Sequence, residues 1–167
     1  MSIEIERRFL LKNNDWEKLI HRKSDIIQGY LSSNPENWIV RIRSEDDLYT
    51  LTLKKHIKKA KNFEFEYKIP KKEGEIIISQ IKRPIIKERF YFLFQKKGWI
   101  IDRFKGKNFP LEIAEVELET IDEHINLPNF ISKEITGLKK FSNFELFNKP
   151  FSKWDKKYIK FLSGLAK

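Results

Sequence analysis

Residues 3–10 read IEIERRFL, and this short segment alternates charged and apolar side chains along its length. In a β-strand, residues two positions apart lie on the same face. Glu4, Glu6 and Arg8 therefore share one face of the predicted strand, and the other face is apolar except for Arg7. The segment predicts a strand with one charged face and one apolar face.

The same alternation recurs along the chain and predicts eight strands. They span residues 3–10, 27–33, 38–44, 48–55, 62–69, 85–95, 98–104 and 111–119. Helical spacing predicts four helices, at residues 14–23, 75–82, 121–126 and 152–166. No internal repeat or long linker divides the chain, so we expect one domain over residues 1–167. The predicted fold class is α+β and mainly β.

The charged residues of these strands occur in pairs of a single sign. The acid pairs are Glu4/Glu6, Glu64/Glu66 and Glu115/Glu117, and the base pairs are Arg41/Arg43 and Lys87/Arg89. One explanation is an antiparallel sheet with one face in water. The other is a closed eight-stranded antiparallel barrel whose charged face becomes a polar lumen, with a few flanking helices. The pairing by sign favours the barrel.

A charged lumen requires ions or a ligand, because unpaired charges in a dry interior cost several kcal/mol each. Carboxylate oxygens are the ligands that Mg²⁺ and Mn²⁺ prefer, whereas arginine and lysine suit phosphate oxygens. A lumen that holds both kinds of side chain suits a metal-complexed polyphosphate.

The composition excludes several classes of site. The chain has 167 residues and no cysteine, which excludes a disulfide scaffold, a thiolate zinc site and a cysteine nucleophile. No apolar run approaches the roughly 20 residues of a membrane span, and the acidic N-terminus is unlike a signal peptide. We therefore expect a cytoplasmic protein without membrane contact.

The net charge of +10 points at first to nucleic acid. Its excess, however, lies in two regions: residues 54–61 contain five lysines and no acid, and residues 139–167 contain eight lysines and two acids. The remainder of the chain is close to neutral. Solvated lysines explain this distribution, so a nucleic-acid partner is not favoured.

The opening motif Glu4-Ile5-Glu6-Arg7-Arg8-Phe9 resembles the ExExK signature of the CYTH superfamily, the triphosphate tunnel metalloenzymes. Further landmarks of that family follow in order over nearly the whole chain. They are Gln28-Gly29-Tyr30-Leu31-Ser32, Val40-Arg41-Ile42-Arg43, Leu51-Thr52-Leu53-Lys54, Glu64-Phe65-Glu66-Tyr67, Lys87-Glu88-Arg89, Ile101-Asp102-Arg103-Phe104-Lys105-Gly106, Ala114-Glu115-Val116-Glu117-Leu118 and Glu134-Ile135-Thr136-Gly137. The first motif alone is weak, but the ordered series is specific.

The resemblance implies an eight-stranded antiparallel tunnel that binds a triphosphate and hydrolyses it with a divalent metal, Mg²⁺ or Mn²⁺. By the same resemblance, Glu4, Glu6 and Glu117 hold the metal, with Glu115 beside them. The implied phosphate-binding bases are Arg8, Arg41, Arg43, Lys54, Lys87 and Arg89.

Catalytic roles come from the same resemblance. Glu64 and Glu66 match acids that support a second metal or the attacking water. Tyr30 and Lys87 match positions that handle the proton of that water. Asp102 matches a recurrent acid, whose role stays open.

The chain departs from the family pattern at four positions. Arg8 stands where the signature usually has lysine, which keeps the charge but replaces a point charge with a forked group. Asn62 occupies a position that is commonly arginine in short bacterial members. Near the end, Leu138 replaces an acid and Lys140 takes the place of an arginine, so Lys140 is a predicted substrate-binding residue. These changes affect substrate choice and rate rather than the fold.

The predicted function is divalent-metal-dependent hydrolysis of a linear triphosphate, with inorganic tripolyphosphate as the first choice. Thiamine triphosphatase and class IV adenylyl cyclase are the neighbouring activities. A polyphosphate- or nucleotide-binding module without turnover is the alternative from another class. Whether the chain forms a homodimer is left open. The C-terminal helix is expected to pack on the barrel and cap one mouth of the tunnel, and His21, His56 and His124 are expected at the surface.

Overall fold

The computed structural model describes residues 3–32, 38–58 and 61–165. In these ranges the strands are β1 (Ile3–Leu11), β2 (Ile20–Tyr30), β3 (Ile39–Glu45), β4 (Leu48–Lys58), β5 (Lys61–Ile69), β6 (Ile85–Phe94), β7 (Lys97–Phe104), β8 (Glu112–Glu117) and β9 (Ile131–Glu134). The helices are α1 (Lys71–Ser79), α2 (Asn143–Asn148) and α3 (Lys156–Leu165). Short 3₁₀ turns lie at Asp15–Leu19, Gly106–Asn108, Lys139–Phe141 and Phe151–Lys153. Residues 33 and 166, at the ends of a predicted strand and a predicted helix, lie outside the described ranges.

The strands close on themselves, and the predicted eight-stranded antiparallel barrel is confirmed. The ring runs β1-β5-β4-β3-β2-β6-β7-β8 and returns to β1. One edge of β1 is shared, because Ile3–Ile5 pair with β5 whereas Phe9 and Leu11 pair with the additional strand β9. The opposite edge of β1 pairs with β8. The charged face of each strand therefore points into a closed interior.

Of the four predicted helices, one is reduced to a short 3₁₀ turn and another is replaced by irregular structure. The prediction over residues 14–23 is wrong beyond Leu19, because the chain from Ile20 onward pairs with β6 as part of β2. The apolar spacing there reflects Trp16, which turns into the outer core against Phe90, with ring centroids 5.0 Å apart. Residues 121–126 form a turn that continues as an irregular segment, and Glu123 accepts from the backbone N–H of Glu119.

The apolar residues form two main clusters. One lies on the outer face of the barrel and joins Phe9, Phe92, Trp99, Val116 and Phe130. The other contains Leu10, Ile85, Phe104 and Ile113. Each of these residues lies two positions along its strand from a charged lumen residue, so their side chains also point to the inner face. At that end the interior is apolar rather than charged.

The C-terminal segment closes this apolar end of the barrel. Phe141, Leu146, Phe151 and Trp154 are buried against the inner-face cluster. This segment includes α2, which periodicity did not predict, while α3 packs beside it through Tyr158. None of the helices in the described ranges combines the length and apolar character that a membrane crossing requires. The polar lumen is thus bounded at one end.

Candidate active site

Strand register gathers most of the predicted site residues in one lumen. Across neighbouring strands, Tyr30 lies opposite Arg41, and Arg89 lies opposite Asp102. All predicted site residues except Lys140 have the parity of the inner face: Glu4, Glu6, Arg8, Tyr30, Arg41, Arg43, Lys54, Glu64, Glu66, Lys87, Arg89, Glu115 and Glu117. The alternation in sequence therefore becomes a wall of opposed charges.

Three carboxylates surround one ammonium group on the β1–β5 side of the lumen; we call Glu4, Glu6 and Glu64 the acid cluster. The Nζ of Lys54 contacts Glu4 Oε2 and lies 2.8 Å from Glu64 Oε2 and 3.8 Å from Glu6 Oε1. Lys54 comes from β4, so its side chain crosses to carboxylates of two other strands. A single positive charge thus occupies the point where the three acids converge.

The pKa values of two carboxylates in the acid cluster are shifted in opposite directions. Burial and the neighbouring charge of Glu6 raise the pKa of Glu4 to about 8, although Lys54 opposes this shift. Burial also favours the neutral form of Glu64, but Lys54 and Arg41 outweigh it and lower the pKa of Glu64 to about 2. The cluster carries more negative charge than one ammonium neutralises, which favours a second or a more highly charged cation.

Arg41 and Arg43 extend from β3 into the lumen beside two acids of β5. Arg41 Nη2 donates to Glu64 at 3.3 Å and to Glu66 at 3.1 Å, and Arg43 Nη2 donates to Glu66 at 3.2 Å. Thr52, which is fully buried, accepts from Arg41 and donates to Glu66. The Nε atoms of both arginines are buried and have no hydrogen-bond partner in the described residues. A buried donor without an acceptor is costly, so these atoms favour an anion in the lumen.

A second charged group lies deeper, on β6 and β7. Asp102 is 0% exposed and accepts from Arg89 Nε at 2.7 Å and from Arg89 Nη2 at 2.8 Å. The same carboxylate contacts the Nζ of Lys87, which is 1% exposed. Asp102 therefore aligns two cations that project from one strand, which gives a physical role to an acid whose role the sequence left open.

Glu115 and Arg8 complete this deeper group, and we call Arg8, Lys87 and Arg89 the base cluster. Glu115 accepts from Arg8 Nε at 2.9 Å and from Arg89 Nη2 at 3.4 Å. Arg8 Nη2 also donates to the carbonyl of Phe141, at 3.0 Å, in the C-terminal segment. The forked guanidinium makes both bonds at once, which the ammonium of a lysine at this position would not reproduce in the same geometry.

The proton affinities of Lys87 and Tyr30 follow from their burial. Burial lowers the pKa of Lys87 to about 8, and Arg89 adds to this effect, although Asp102 opposes it. Burial raises the pKa of Tyr30 to about 12 despite nearby cations. Gln28 Nε2 donates to the Tyr30 hydroxyl oxygen at 3.2 Å, and Phe144 packs edge-on against the Tyr30 ring. Of these two residues, Lys87 is therefore the one that can exchange a proton near neutral pH.

Lys140 lies apart from the lumen. Its Nζ is 4.5 Å from the ring centroid of Trp154 and 3.7 Å from that of Tyr158, so the structure does not bring it together with the other predicted bases. Asn62 is buried opposite Glu4 and makes a 3.1 Å hydrogen bond with the exposed His56. Lysine at 140 was predicted from its position in a motif, which carries no information on the direction of its side chain.

The donor set of the acid cluster fits a hard divalent cation, because it offers only carboxylate oxygens that already converge on one positive charge. In residues 3–32, 38–58 and 61–165, no three carboxylate or imidazole groups lie close enough to hold an ion directly, and the Lys54 ammonium lies between the carboxylates of the acid cluster. Glu117 is exposed and lies opposite Glu6, where it could add a ligand. Glu115 is bonded to two guanidinium groups and fits less well.

Thr52 and Gln28 are lumen residues that the sequence reasoning did not assign to the site. Both are buried, and both share strand parity with predicted site residues, Lys54 and Tyr30. That parity was the available signal. Because their side chains are neutral, parity alone does not indicate a role in the site. The hydrogen bonds of Thr52 with Arg41 and of Gln28 with Tyr30 do.

Comparison with known proteins agrees with this architecture. A family model for the CYTH domain matches residues 2–147. The inorganic triphosphatase of Acetivibrio thermocellus is 31% identical over 157 residues, which cover 90% of this chain and 97% of that protein.

Solved structures share the fold. The inorganic triphosphatase NE1496 superposes with a TM-score of 0.65 at 26% identity, over 88% of this chain and 95% of that one. A Hippeastrum protein described as a putative adenylyl cyclase with a dominant triphosphatase activity superposes with a TM-score of 0.53 at 12% identity, over 72% and 80% of the two chains. At that identity the second likeness shows the fold alone.

Proposed function

The chain belongs to the CYTH domain family, and on that premise we propose that it is an inorganic triphosphatase, a phosphoanhydride hydrolase that cleaves tripolyphosphate with Mg²⁺ or Mn²⁺. The observation that carries the proposal is the presence of two complementary groups in one lumen: carboxylates around a cation, and cations with buried donors that lack a hydrogen bond in the described residues. Phosphoryl transfer requires a protein to position the reacting groups and to place positive charge around the transferring phosphoryl group. The lumen supplies both.

The acid cluster, with Glu117 at its exposed side, is the proposed ion site. When bound, Mg²⁺ or Mn²⁺ would neutralise phosphate oxygens and lower the pKa of a water molecule. Glu115 has a different proposed role, because its two oxygens accept from Arg8 and Arg89 and so orient those bases toward the substrate.

The phosphates are proposed to bind between the base cluster and the two arginines of β3. Arg41 and Arg43 each keep one buried Nε donor without a hydrogen bond in the described residues, and a phosphate oxygen would satisfy it. Arg89 is held in one orientation by Asp102, so little side-chain entropy is lost when it binds an anion. Because the opposite end of the barrel is packed with apolar residues, the substrate enters from the charged end.

Hydrolysis forms one bond and breaks another. The water oxygen bonds to a terminal phosphorus, the bond from that phosphorus to the bridging oxygen breaks, and its electron pair leaves with diphosphate. Lys87, with a pKa of about 8, is protonated at neutral pH and is proposed to give its proton to the leaving oxygen.

The remaining proton roles concern Tyr30, Glu66 and Glu64. Tyr30 keeps its proton because its pKa is about 12, and Gln28 already bonds the phenolic oxygen, so the Tyr30 hydroxyl can donate to a phosphate. Glu66, whose side chain is 41% exposed, is the proposed acceptor of the water proton. Glu64 does not fit this role, because Lys54 and Arg41 lower its pKa to about 2 and leave it little affinity for a proton.

The test is phosphate release from tripolyphosphate, thiamine triphosphate and ATP, with Mg²⁺, with Mn²⁺ and with EDTA. We expect Glu4→Gln and Glu6→Gln to lower the release from tripolyphosphate by about a hundredfold or more. Glu112→Gln is the matched control, because Glu112 pairs with Arg103 on the outside of the barrel. Unchanged hydrolysis in both lumen variants, or full activity in EDTA, would contradict the proposal.

A further inference from the structure

Lys54 differs from Arg8 and Arg89 in the carboxylates with which it forms ion pairs. Its ion pairs in the described residues all go to the acid cluster, whereas Arg8 and Arg89 are held by Glu115 and Asp102 in the deeper group. The ammonium of Lys54 is a compact charge on a flexible stem of four carbons, so it can leave this position by rotation alone. Its side chain is 23% exposed, which leaves room for such a movement.

The position of Lys54 is also the position that a divalent ion needs. The carboxylates of Glu4 and Glu64 lie within contact distance of its Nζ, and Glu6 is 3.8 Å away. An ion bound by the same oxygens would lie next to the ammonium, and two cations at that separation repel each other strongly in a partly buried site. Lys54 and the ion therefore exclude each other.

Resting on the proposed function, we propose that Lys54 is the internal competitor of the divalent ion: it neutralises the acid cluster until the ion binds, and the ion releases its ammonium to the phosphates of the substrate. The ammonium offsets the repulsion among the carboxylates of the acid cluster, because its Nζ contacts Glu4 and lies 2.8 Å from Glu64. Once released, the same charge is available to a phosphate oxygen. Metal binding and substrate binding are thereby coupled through one side chain.

The proposal predicts opposite effects on two ligands when the charge of Lys54 is removed. Lys54→Met keeps a long unbranched side chain and removes the competitor, so Mn²⁺ alone should bind the protein more tightly, by about tenfold or more. The same variant loses a cation for the phosphates, so KM for tripolyphosphate at saturating Mn²⁺ should rise. A general folding defect would weaken both interactions and would not produce this opposition.

Lys55→Met is the matched control. Lys55 is the next residue of β4, is exposed, and lies on the outer face of the strand opposite Phe63, so the variant has the same change in net charge without touching the acid cluster. Its Mn²⁺ affinity and KM should equal those of the unaltered chain. Lys54→Gln serves as the second lumen variant and should give the same two shifts.

The measurement is calorimetric titration of the intact chain with MnCl₂ in the absence of any phosphate compound. Tighter Mn²⁺ binding by both Lys54 variants, with Lys55→Met unchanged, supports the proposal. Equal or weaker Mn²⁺ binding by the Lys54 variants overturns it while leaving the proposed function intact. Absence of Mn²⁺ binding in the unaltered chain and in both Lys54 variants also overturns it, whereas full hydrolysis of tripolyphosphate in EDTA would overturn the metal-dependent function itself.

Discussion

Asp102→Asn tests whether the base cluster depends on one buried carboxylate. Asp102 is fully buried and holds Arg89 through two hydrogen bonds of 2.7 Å and 2.8 Å, in addition to its contact with Lys87. Asparagine has nearly the same size but no charge, and its NH₂ group would face guanidinium donors. The substitution therefore leaves two buried cations with too few acceptors.

The size of the effect follows from this burial. Removing one partner of a buried ion pair costs about 3–5 kcal/mol of unfolding free energy, because the remaining charge is uncompensated. For a chain of this length, that corresponds to a fall in Tm of roughly 6–20 °C. Solvent does not screen the loss, since Lys87 is 1% exposed.

The assay is urea unfolding followed by circular dichroism at neutral pH. Glu112→Gln is again the control, because its ion pair with Arg103 lies on the outside of the same two strands and should contribute about 1 kcal/mol or less. At about pH 9.5, Lys87 is neutral in the folded state, so one of the two uncompensated charges is gone. The loss of unfolding free energy caused by Asp102→Asn should therefore be smaller than at neutral pH. A deficit within about 1 kcal/mol of the control at neutral pH would refute the reasoning.

Two further predictions concern packing and pH. In Gly74→Ala, the new Cβ would lie 2.2 Å from the ring of Tyr49, so we expect the unfolding free energy, measured in urea, to fall by about 1–3 kcal/mol. Gly98 has open space around it, so Gly98→Ala should change the unfolding free energy by less than about 0.5 kcal/mol. Equal stability of the two variants would contradict this. For the unaltered chain, KM for tripolyphosphate should rise as the pH passes 8, because Lys87 then loses its positive charge. In Lys87→Arg the guanidinium stays charged, so the rise should move to higher pH; a rise at the same pH would assign it to another group.

Much of the barrel could be predicted because strands repeat every two residues. Glu4, Glu6 and Arg8 had to share a face, and the same rule applied to the pairs on the other strands. Closure of the ring then left a lumen as the place for those faces. The rule says nothing about where a strand begins, which is why Ile20–Lys23 were assigned to a helix and belong to β2.

The alternation of charged and apolar residues also does not predict which charged side chains form ion pairs with each other. Glu115 was grouped with the metal ligands because its motif places it beside Glu117, yet it accepts from Arg8 and Arg89. Lys140 was placed with the phosphate-binding bases, but its ammonium lies against Trp154. Both outcomes depend on side-chain direction and on long-range register, which follow from the closed ring and from the way the C-terminal segment packs into it.

The shared edge of β1 has a consequence for the folding equilibrium. β1 meets β5 over Ile3–Ile5, where Glu4 and Glu64 approach the same ammonium. These two carboxylates are about sixty residues apart in the chain, so only the folded barrel brings them to one cation. A divalent ion held between them would bind the folded state and not the unfolded one, and it would therefore raise the stability of the barrel by mass action. The acids that prepare the lumen for chemistry would thus also make the unfolding free energy depend on the concentration of the ion.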